Sequence, residues 1–331
     1  MKVLVTGANG FIGRALCEHL LQSGCSVRAA IRSGSAFPGT ETVPIPSVDG
    51  ATDWKEALRD VDAVVHLAAR VHVMREYHPD PASAFHQVNS EGTSRLAMMA
   101  AEAGVRRLVY MSSIKVNGER TKGFAFTESD VPKPSGFYGI SKWQAEEALW
   151  QTAQRTGLEV VVLRAPLVYG PGAPGNFMRL LKIIDRGFPL PFASVKNQRS
   201  FIYVTNLCDA IRACLQHPAA AGRTFLVSDG DDVSTPDLIA FLAKSLGRRS
   251  RLIPFPPLLL EAVAALLRRQ EEAERLLKSL RVNSAGIRQM LHWTPPCTLH
   301  EGLQATADAY LAARGNQQGQ AATPPANLHS A

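Results

Sequence analysis

Cysteine is scarce and unpaired in this sequence. The five thiols, Cys17, Cys25, Cys208, Cys214 and Cys297, are odd in number and form no C-x-x-C pair. That excludes a disulfide framework or a cysteine-built zinc centre as the basis of the fold, so no metal site is expected. Long apolar runs are also missing, and no stretch is long enough to span a bilayer. The most apolar segment, Leu258–Leu267 with arginines behind it, reads as a packed amphipathic helix, with contact to a membrane surface as the alternative. No basic start followed by an apolar core opens the chain, so no export signal is expected and the protein reads as cytoplasmic. Aromatic residues are only 7% of the total and do not interleave with the Arg pairs at 106–107, 248–249 and 268–269, which argues against a nucleic-acid partner. Internal repeats are absent.

What is present is an ordinary globular composition: 331 residues, 46% hydrophobic and 20% charged, enough for one large core with a smaller lobe. The net charge of +7 suits an anionic ligand, although most of the excess is expected as solvated surface. Short apolar runs at 2–6, 26–31, 63–67, 108–112 and 160–164 alternate with helical patterns at 11–22, 53–58, 83–103 and 137–156. Continuous apolar strands separated by helices predict a parallel sheet covered on both faces. After Pro166 proline and glycine become frequent and the alternation weakens. The expected organisation is a dinucleotide-binding domain over 1–165, with returning segments near 200–216. A smaller α/β substrate-binding lobe follows over 166–313, and a polar, proline-containing disordered tail over 314–331.

The first strand runs directly into Thr6-Gly7-Ala8-Asn9-Gly10-Phe11-Ile12-Gly13, with glycines spaced G-x-x-G-x-x-G. Gly7 permits a tight turn, Gly10 lets the backbone approach a pyrophosphate, and Gly13 lets helix and strand pack closely. The following helix directs its free N–H groups at the phosphates. This is the signature of a Rossmann-type doubly wound sheet. The second strand ends Ile31-Arg32-Ser33, without the acidic residue that reads an NAD ribose. Arg32, together with Arg14 just past the glycine loop, suits a 2′-phosphate, so NADP(H) is favoured and NAD(H) is possible. Asp49 is a candidate acceptor for the adenine amine, or a loop cap.

Tyr138-Gly139-Ile140-Ser141-Lys142 sets a phenol and an ammonium four residues apart, on one face at a helix start. The cation is expected to pull the Tyr138 pKa down towards working pH, making it an acid/base for a sugar hydroxyl or ketone. Ser112 and Ser113 end the preceding strand, within reach of the same oxygen.

These motifs resemble the extended short-chain dehydrogenases, the NAD-dependent epimerase/dehydratase group. The resemblance covers about residues 1–310 and is carried by TGANGFIG at 6–13, DAVVHLAA at 62–69, VNSEGT at 88–93, YMSSIKVNG at 110–118, YGISK at 138–142, LRAPLVYGPG at 163–172 and RSFIYV at 199–204. It implies Ser113, Tyr138 and Lys142 as catalytic residues, and Leu67, Ala68 and Ala69 as lining for the cofactor. It also implies Asn89 as support for the site, with Tyr138 and Lys142 touching the cofactor. Asn176 and Arg199 match positions that hold a nucleotide diphosphate, Ser113 also reaching the sugar. A turn residue and a surface ion pair are their alternative readings. His66 reads as a buried, satisfied polar residue. Ile114 and Lys115 stand where the dehydratases of this group carry an acid, which disfavours dehydration. The segments SSIKVNGE, LVYGPGAPGNF, NQRSF and SDGDDVST resemble bacterial reductases that form UDP-N-acetyl-D-quinovosamine for O-antigen and other surface polysaccharide. The resemblance therefore implies NAD(P)H-dependent reduction of a 4-keto UDP-sugar. UDP-hexose 4-epimerisation is the alternative, and a non-catalytic dinucleotide sensor a distant third. A homodimer through the helices at 83–103 and 137–156 is the family expectation.

Overall fold

In the computed structural model the described residues are 1–71 and 79–321, with side chains to 315. A seven-stranded sheet forms from β1 (Lys2–Thr6), β2 (Ser26–Ile31), β3 (Glu41–Pro44), β4 (Ala63–His66), β5 (Arg107–Ser113), β6 (Glu159–Ala165) and, after the short pair β7 (Leu167–Tyr169) and β8 (Phe201–Tyr203), β9 (Arg223–Leu226). The order across the sheet is β3-β2-β1-β4-β5-β6-β9, every neighbouring pair being parallel. This is the Rossmann-type doubly wound arrangement. Chain direction across the sheet reverses between β1 and β4, which opens a crevice at their carboxyl ends.

Helices cover both faces because successive side chains on a strand point to opposite sides. Val3 and Val5 join α1 (Phe11–Gln22) in one core, while Leu4 between them joins the other. The second core is closed by α2 (Lys55–Leu58), α4 (Gly92–Glu102) and α5 (Gly136–Thr156), with Trp54, Leu96 and Leu149 fully buried, and α3 (Pro81–His86) packs against α5. The remaining helices are α6 (Asn176–Asp185), α7 (Val204–Gln216), α8 (Thr235–Ser245), α9 (Pro257–Leu266), α10 (Gln270–Leu277), α11 (Ala285–Leu291) and α12 (Leu299–Ala321). Of these, α7 packs on α1 in the first core.

Four features differ from the sequence reading. The segment expected as one helix over 83–103 is broken by a π-helical turn at Gln87–Glu91. β9 lies within the span given to the second lobe yet extends the main sheet beside β6. α12 continues through residues 314–321 of the expected disordered tail, while 322–331 lie outside the described residues. Arg314 on that helix grips Asp185 of α6 at 2.6 Å, which ties down the turn where order was expected to end. Finally, α9 is not the packed helix that Leu258–Leu267 suggested, for none of its residues is buried. No described helix is long and apolar enough to cross a membrane.

Candidate active site

The glycine turn closes the crevice between β1 and β4. Gly7 sits at φ +67, in the left-handed region that favours glycine, and a Cβ there would come 3.0 Å from the Ala68 nitrogen. A Cβ on Gly13 would come 2.2 Å from the Gly7 carbonyl oxygen, so helix and turn meet only because that position is bare. α1 begins at Gly10 with no side-chain cap and no acid in its first turn. Its first N–H groups and positive dipole end therefore remain available to an anion. Phe11 and Ile12 are half-buried against the first core, and the chain at Leu67, Ala68 and Ala69 forms the opposite wall.

One threonine joins these two walls. Thr6 Oγ accepts from the Leu67 and Ala68 amides at 3.2 and 3.1 Å, leaving its own proton for His66 Nδ1 at 2.7 Å. With the ring neutral, its proton then sits on Nε2 and donates to Thr93 Oγ at 3.0 Å. Thr93 in turn donates to the Asn89 carbonyl at 2.6 Å. Burial, with the Lys142 cation nearby, holds the His66 pKa down at about 3. His66 is thus buried and satisfied. The π-helical turn presents Asn89, whose side chain donates to Ser141 Oγ and to the Arg70 carbonyl, both at 2.9 Å, and accepts from the Arg70 amide at 2.7 Å. It joins the wall after β4 to the helix bearing Tyr138.

At the far end of the crevice the Asn9 side chain donates to the Ser33 carbonyl at 2.6 Å, and Arg14 to that of Ser35 at 3.3 Å. Both tie the glycine turn to the end of β2. Arg32 is exposed there and has no described ion-pair partner. Asp49 accepts from the Ala51 amide at 2.9 Å and from Thr52 Oγ at 3.2 Å, so it caps its own loop.

Tyr138 and Lys142 occupy the first two turns of α5, facing the end of β5. The Ser113 hydroxyl beside the Tyr138 phenol draws its pKa down, but burial wins and pushes it up to about 12. Lys142 is 2% exposed, and its ammonium donates to the Met111 carbonyl at 2.9 Å, above the Tyr110 ring at 4.6 Å and the Tyr138 ring at 5.9 Å. Burial lowers the Lys142 pKa to about 7, with Glu146 opposing. The expectation that the lysine would bring the tyrosine down to working pH is therefore corrected. Desolvation acts on both groups and disfavours their charged forms more than the pair favours them.

Sequence reasoning missed what holds this corner. Glu146, wholly buried one turn beyond Lys142, accepts from Ser112 Oγ at 2.5 Å and pairs with Arg164 of β6 at 2.6 Å. Arg164 also donates to the Asn117 side-chain oxygen at 3.0 Å. Ser112 thus faces away from Tyr138 into this network, and Ser113 alone of the pair meets the phenol. A signal existed: an arginine inside the apolar run VVVLRA, and an acid four residues past the lysine.

The two expected diphosphate residues lie on a separate arm. Arg199 donates to the Lys278 carbonyl at 3.0 Å, and burial with neighbouring Arg275 lowers its pKa to about 10 while Glu119 raises it. Glu119 contacts Ser135, which immediately precedes α5. Arg199 is thereby linked, through Glu119, to the residue before α5. Asn176 is exposed at the first turn of α6, after Gly175 at φ 75, and no described hydrogen bond joins its side chain to the other candidates. α6 is linked to α10 through Arg179 and Glu272 at 3.9 Å. Among the described residues no cluster suited to a metal ion occurs.

A bare glycine cradle, an uncapped helix N-terminus and the crevice beside them fit a dinucleotide. The family model described as NAD dependent epimerase/dehydratase matches residues 3–228. The chain is 38% identical over 315 residues to a UDP-glucose 4-epimerase of Vibrio cholerae, covering 94% of this chain and 96% of that protein. It is 29% identical over 261 residues to the N-acetyl-alpha-D-glucosaminyl-diphospho-ditrans,octacis-undecaprenol 4-epimerase of Escherichia coli O157:H7, covering 77% and 76% of the two chains. Among solved structures, MoeE5 in complex with UDP-glucuronic acid and NAD superposes with a TM-score of 0.78 at 25% identity, covering 95% of this chain and all of that one (100%). Glycine turn, sheet order and matched span agree: the chain belongs to the NAD dependent epimerase/dehydratase family.

Proposed function

We propose that this protein reduces the 4-keto group of a UDP-4-keto-6-deoxy-N-acetylhexosamine, giving UDP-N-acetyl-D-quinovosamine for surface polysaccharide, with NADP(H) as the exchangeable cofactor. The observation that carries the reading is the end of β2: no acid follows Ile31, Arg32 is exposed and without a described ion-pair partner, and Arg14 reaches the same loop at the Ser35 carbonyl. Two guanidinium groups there favour a 2′-phosphate. A bound nicotinamide would supply the hydride.

The chain's own residues supply the rest. Gly7, Gly10 and Gly13 with the N-terminus of α1 hold the pyrophosphate, and Leu67 to Ala69 bound the crevice. Arg199 remains a cation at neutral pH, its pKa being about 10, and with Asn176 takes the sugar diphosphate. Ser113 steadies the substrate oxygen at C4. Tyr138, protonated below about 12, gives its proton to the alkoxide as it forms. The Lys142 ammonium, 5.9 Å from the Tyr138 ring, then stabilises the phenolate left behind. Ile114 and the Glu119-paired Lys115 offer no free acid for dehydration.

The 38% identity to a UDP-glucose 4-epimerase favours a second reading, in which hydride is returned to the opposite face of the same carbon. The test is cofactor absorbance with UDP-4-keto-6-deoxy-N-acetylglucosamine and NADPH or NADH. The reductase reading expects NADPH consumption and a 4-hydroxy product. Interconversion of UDP-glucose and UDP-galactose without added cofactor assigns the epimerase instead. In either case Tyr138→Phe is expected to lower turnover about 10²- to 10⁴-fold while dinucleotide binding, followed by fluorescence, persists. Full turnover in that variant removes Tyr138 from the mechanism.

A further inference from the structure

Helix α9 is amphipathic the wrong way round for a solvated surface helix. At 3.6 residues per turn, Leu258, Ala262 and Leu266 form one line and Leu259 and Val263 the next. All five are exposed, Leu258 at 79% and Leu266 at 83%, and Leu267 continues the strip at 61%. The one charged residue of the helix, Glu261, is half-buried on the other side, tied to Lys278 at 2.6 Å. The outward face is therefore apolar throughout.

Cationic side chains border that face. Residues 248–269 contain five arginines and one acid, Glu261. Arg248 is paired with Asp185 at 3.2 Å and Arg269 with Glu272 at 3.7 Å. Among the described residues Arg249, Arg251 and Arg268 are exposed and have no ion-pair partner. The segment before the helix carries more apolar surface: Ile253 is 45% exposed, and the parallel pairing of Leu190 with Leu252 brings exposed Phe188 beside the arginine-bearing stretch.

We propose that this face seats on an anionic phospholipid bilayer, α9 lying in the plane of the interface with its leucines among the acyl chains and its arginines on the headgroups. Helix α10, packed on α9, adds Glu271 and Glu272, both in ion pairs, and the exposed Glu274. Arg249, Arg251 and Arg268 therefore leave the border net cationic. An apolar strip with that border matches an anionic bilayer in both hydrophobicity and charge. A second copy of the chain fits less well, because a twofold contact centred on α9 brings the arginines of one protomer against those of the other. Seating here also orients the candidate site. Lys278, which holds Glu261, accepts through its carbonyl from Arg199 at 3.0 Å, so the membrane-facing helix and the diphosphate arm are joined through one residue.

The test is flotation of the full chain with vesicles of phosphatidylglycerol and phosphatidylethanolamine, against vesicles of phosphatidylcholine. The wild type is expected to float with the anionic vesicles only, and to be released by salt. Leu258→Ser with Leu266→Ser is expected to lower the partition coefficient about a hundredfold at an unchanged melting temperature, since both side chains are already exposed. Leu259→Asn with Val263→Asn is the second variant should the first melt early. Replacing Arg249, Arg251 and Arg268 by Gln is expected to weaken anionic binding while leaving the protein folded. Failure of the wild type to float, or equal flotation of the leucine variants, overturns the proposal. So does a dimer, seen by light scattering, that the leucine variants dissociate without the wild type binding vesicles.

Discussion

Helices α1 and α9 are both rich in leucine, yet the fold treats them oppositely. α1 buries Gly13, Leu16, Cys17 and Leu20 against the sheet, and α9 buries nothing. The difference does not come from composition, for α9 is the more apolar of the two. α1 follows a strand across a bare glycine turn and is delivered onto the sheet face, where α7 closes over it. α9 is joined to the body through Leu190–Leu252 pairing before it and the Glu261–Lys278 pair beneath it, and no described element covers its outer side. A hydrophobic stripe thus marks a surface that needs a partner, and only the fold says whether that partner belongs to the same chain.

The contrast between enclosed and outward groups can be broken or sharpened by substitution. The largest effect is expected where the fold encloses charge. Arg164→Leu leaves Glu146 buried without its cation and is expected to cost about 3–5 kcal/mol, read from denaturant unfolding. A loss below 1 kcal/mol means that water or another cation reaches Glu146. Leu20→Ala, in the enclosed face of α1, is expected to cost about 2–5 kcal/mol in the same assay.

Lys142 tests the enclosed side through pH. Its pKa is lowered to about 7, so the ammonium that stabilises a Tyr138 phenolate is present below that value and lost above it. The reduction rate is expected to fall as pH rises through about 7, up to tenfold per unit, or about 1.4 kcal/mol. Lys142→Arg keeps its charge throughout, and its profile is expected to lack that limb. An unchanged profile in the arginine variant assigns the limb to another group. The smallest effect belongs to the outward side: Leu258→Ala is expected to change folding stability by no more than about 0.5 kcal/mol.

The legible parts were those governed by local chemistry. The glycine spacing announced the turn because a side chain at Gly7 would combine a left-handed φ of +67 with a 3.0 Å approach to Ala68, and one at Gly13 would come within 2.2 Å of the Gly7 carbonyl. Apolar runs gave β1, β2, β4, β5 and β6, since a sheet covered on both faces buries these strands throughout or in all but their first residue. β3 was illegible: ETVP carries a single buried residue, Val43, and takes its shape from pairing with β2. Within the site, Tyr138 and Lys142 share a face by helical spacing alone. The residues alone left Ser112 and Ser113 equivalent and only the family resemblance singled out Ser113, because what diverts Ser112 is Glu146 arriving from another element.

By itself, then, the sequence determined the dinucleotide turn, the alternation of strand and helix, and the pairing of phenol with lysine, because each depends on residues within a turn or two of one another. Tertiary structure decided the rest. It set the pKa order of Tyr138 and Lys142 through burial, assembled Glu146, Arg164 and Asn117 from α5, β6 and the loop after β5, and carried β9 back to the main sheet. It also turned the leucines of α9 outward. These outcomes depend on what surrounds a group in space, and chain neighbours do not supply that information.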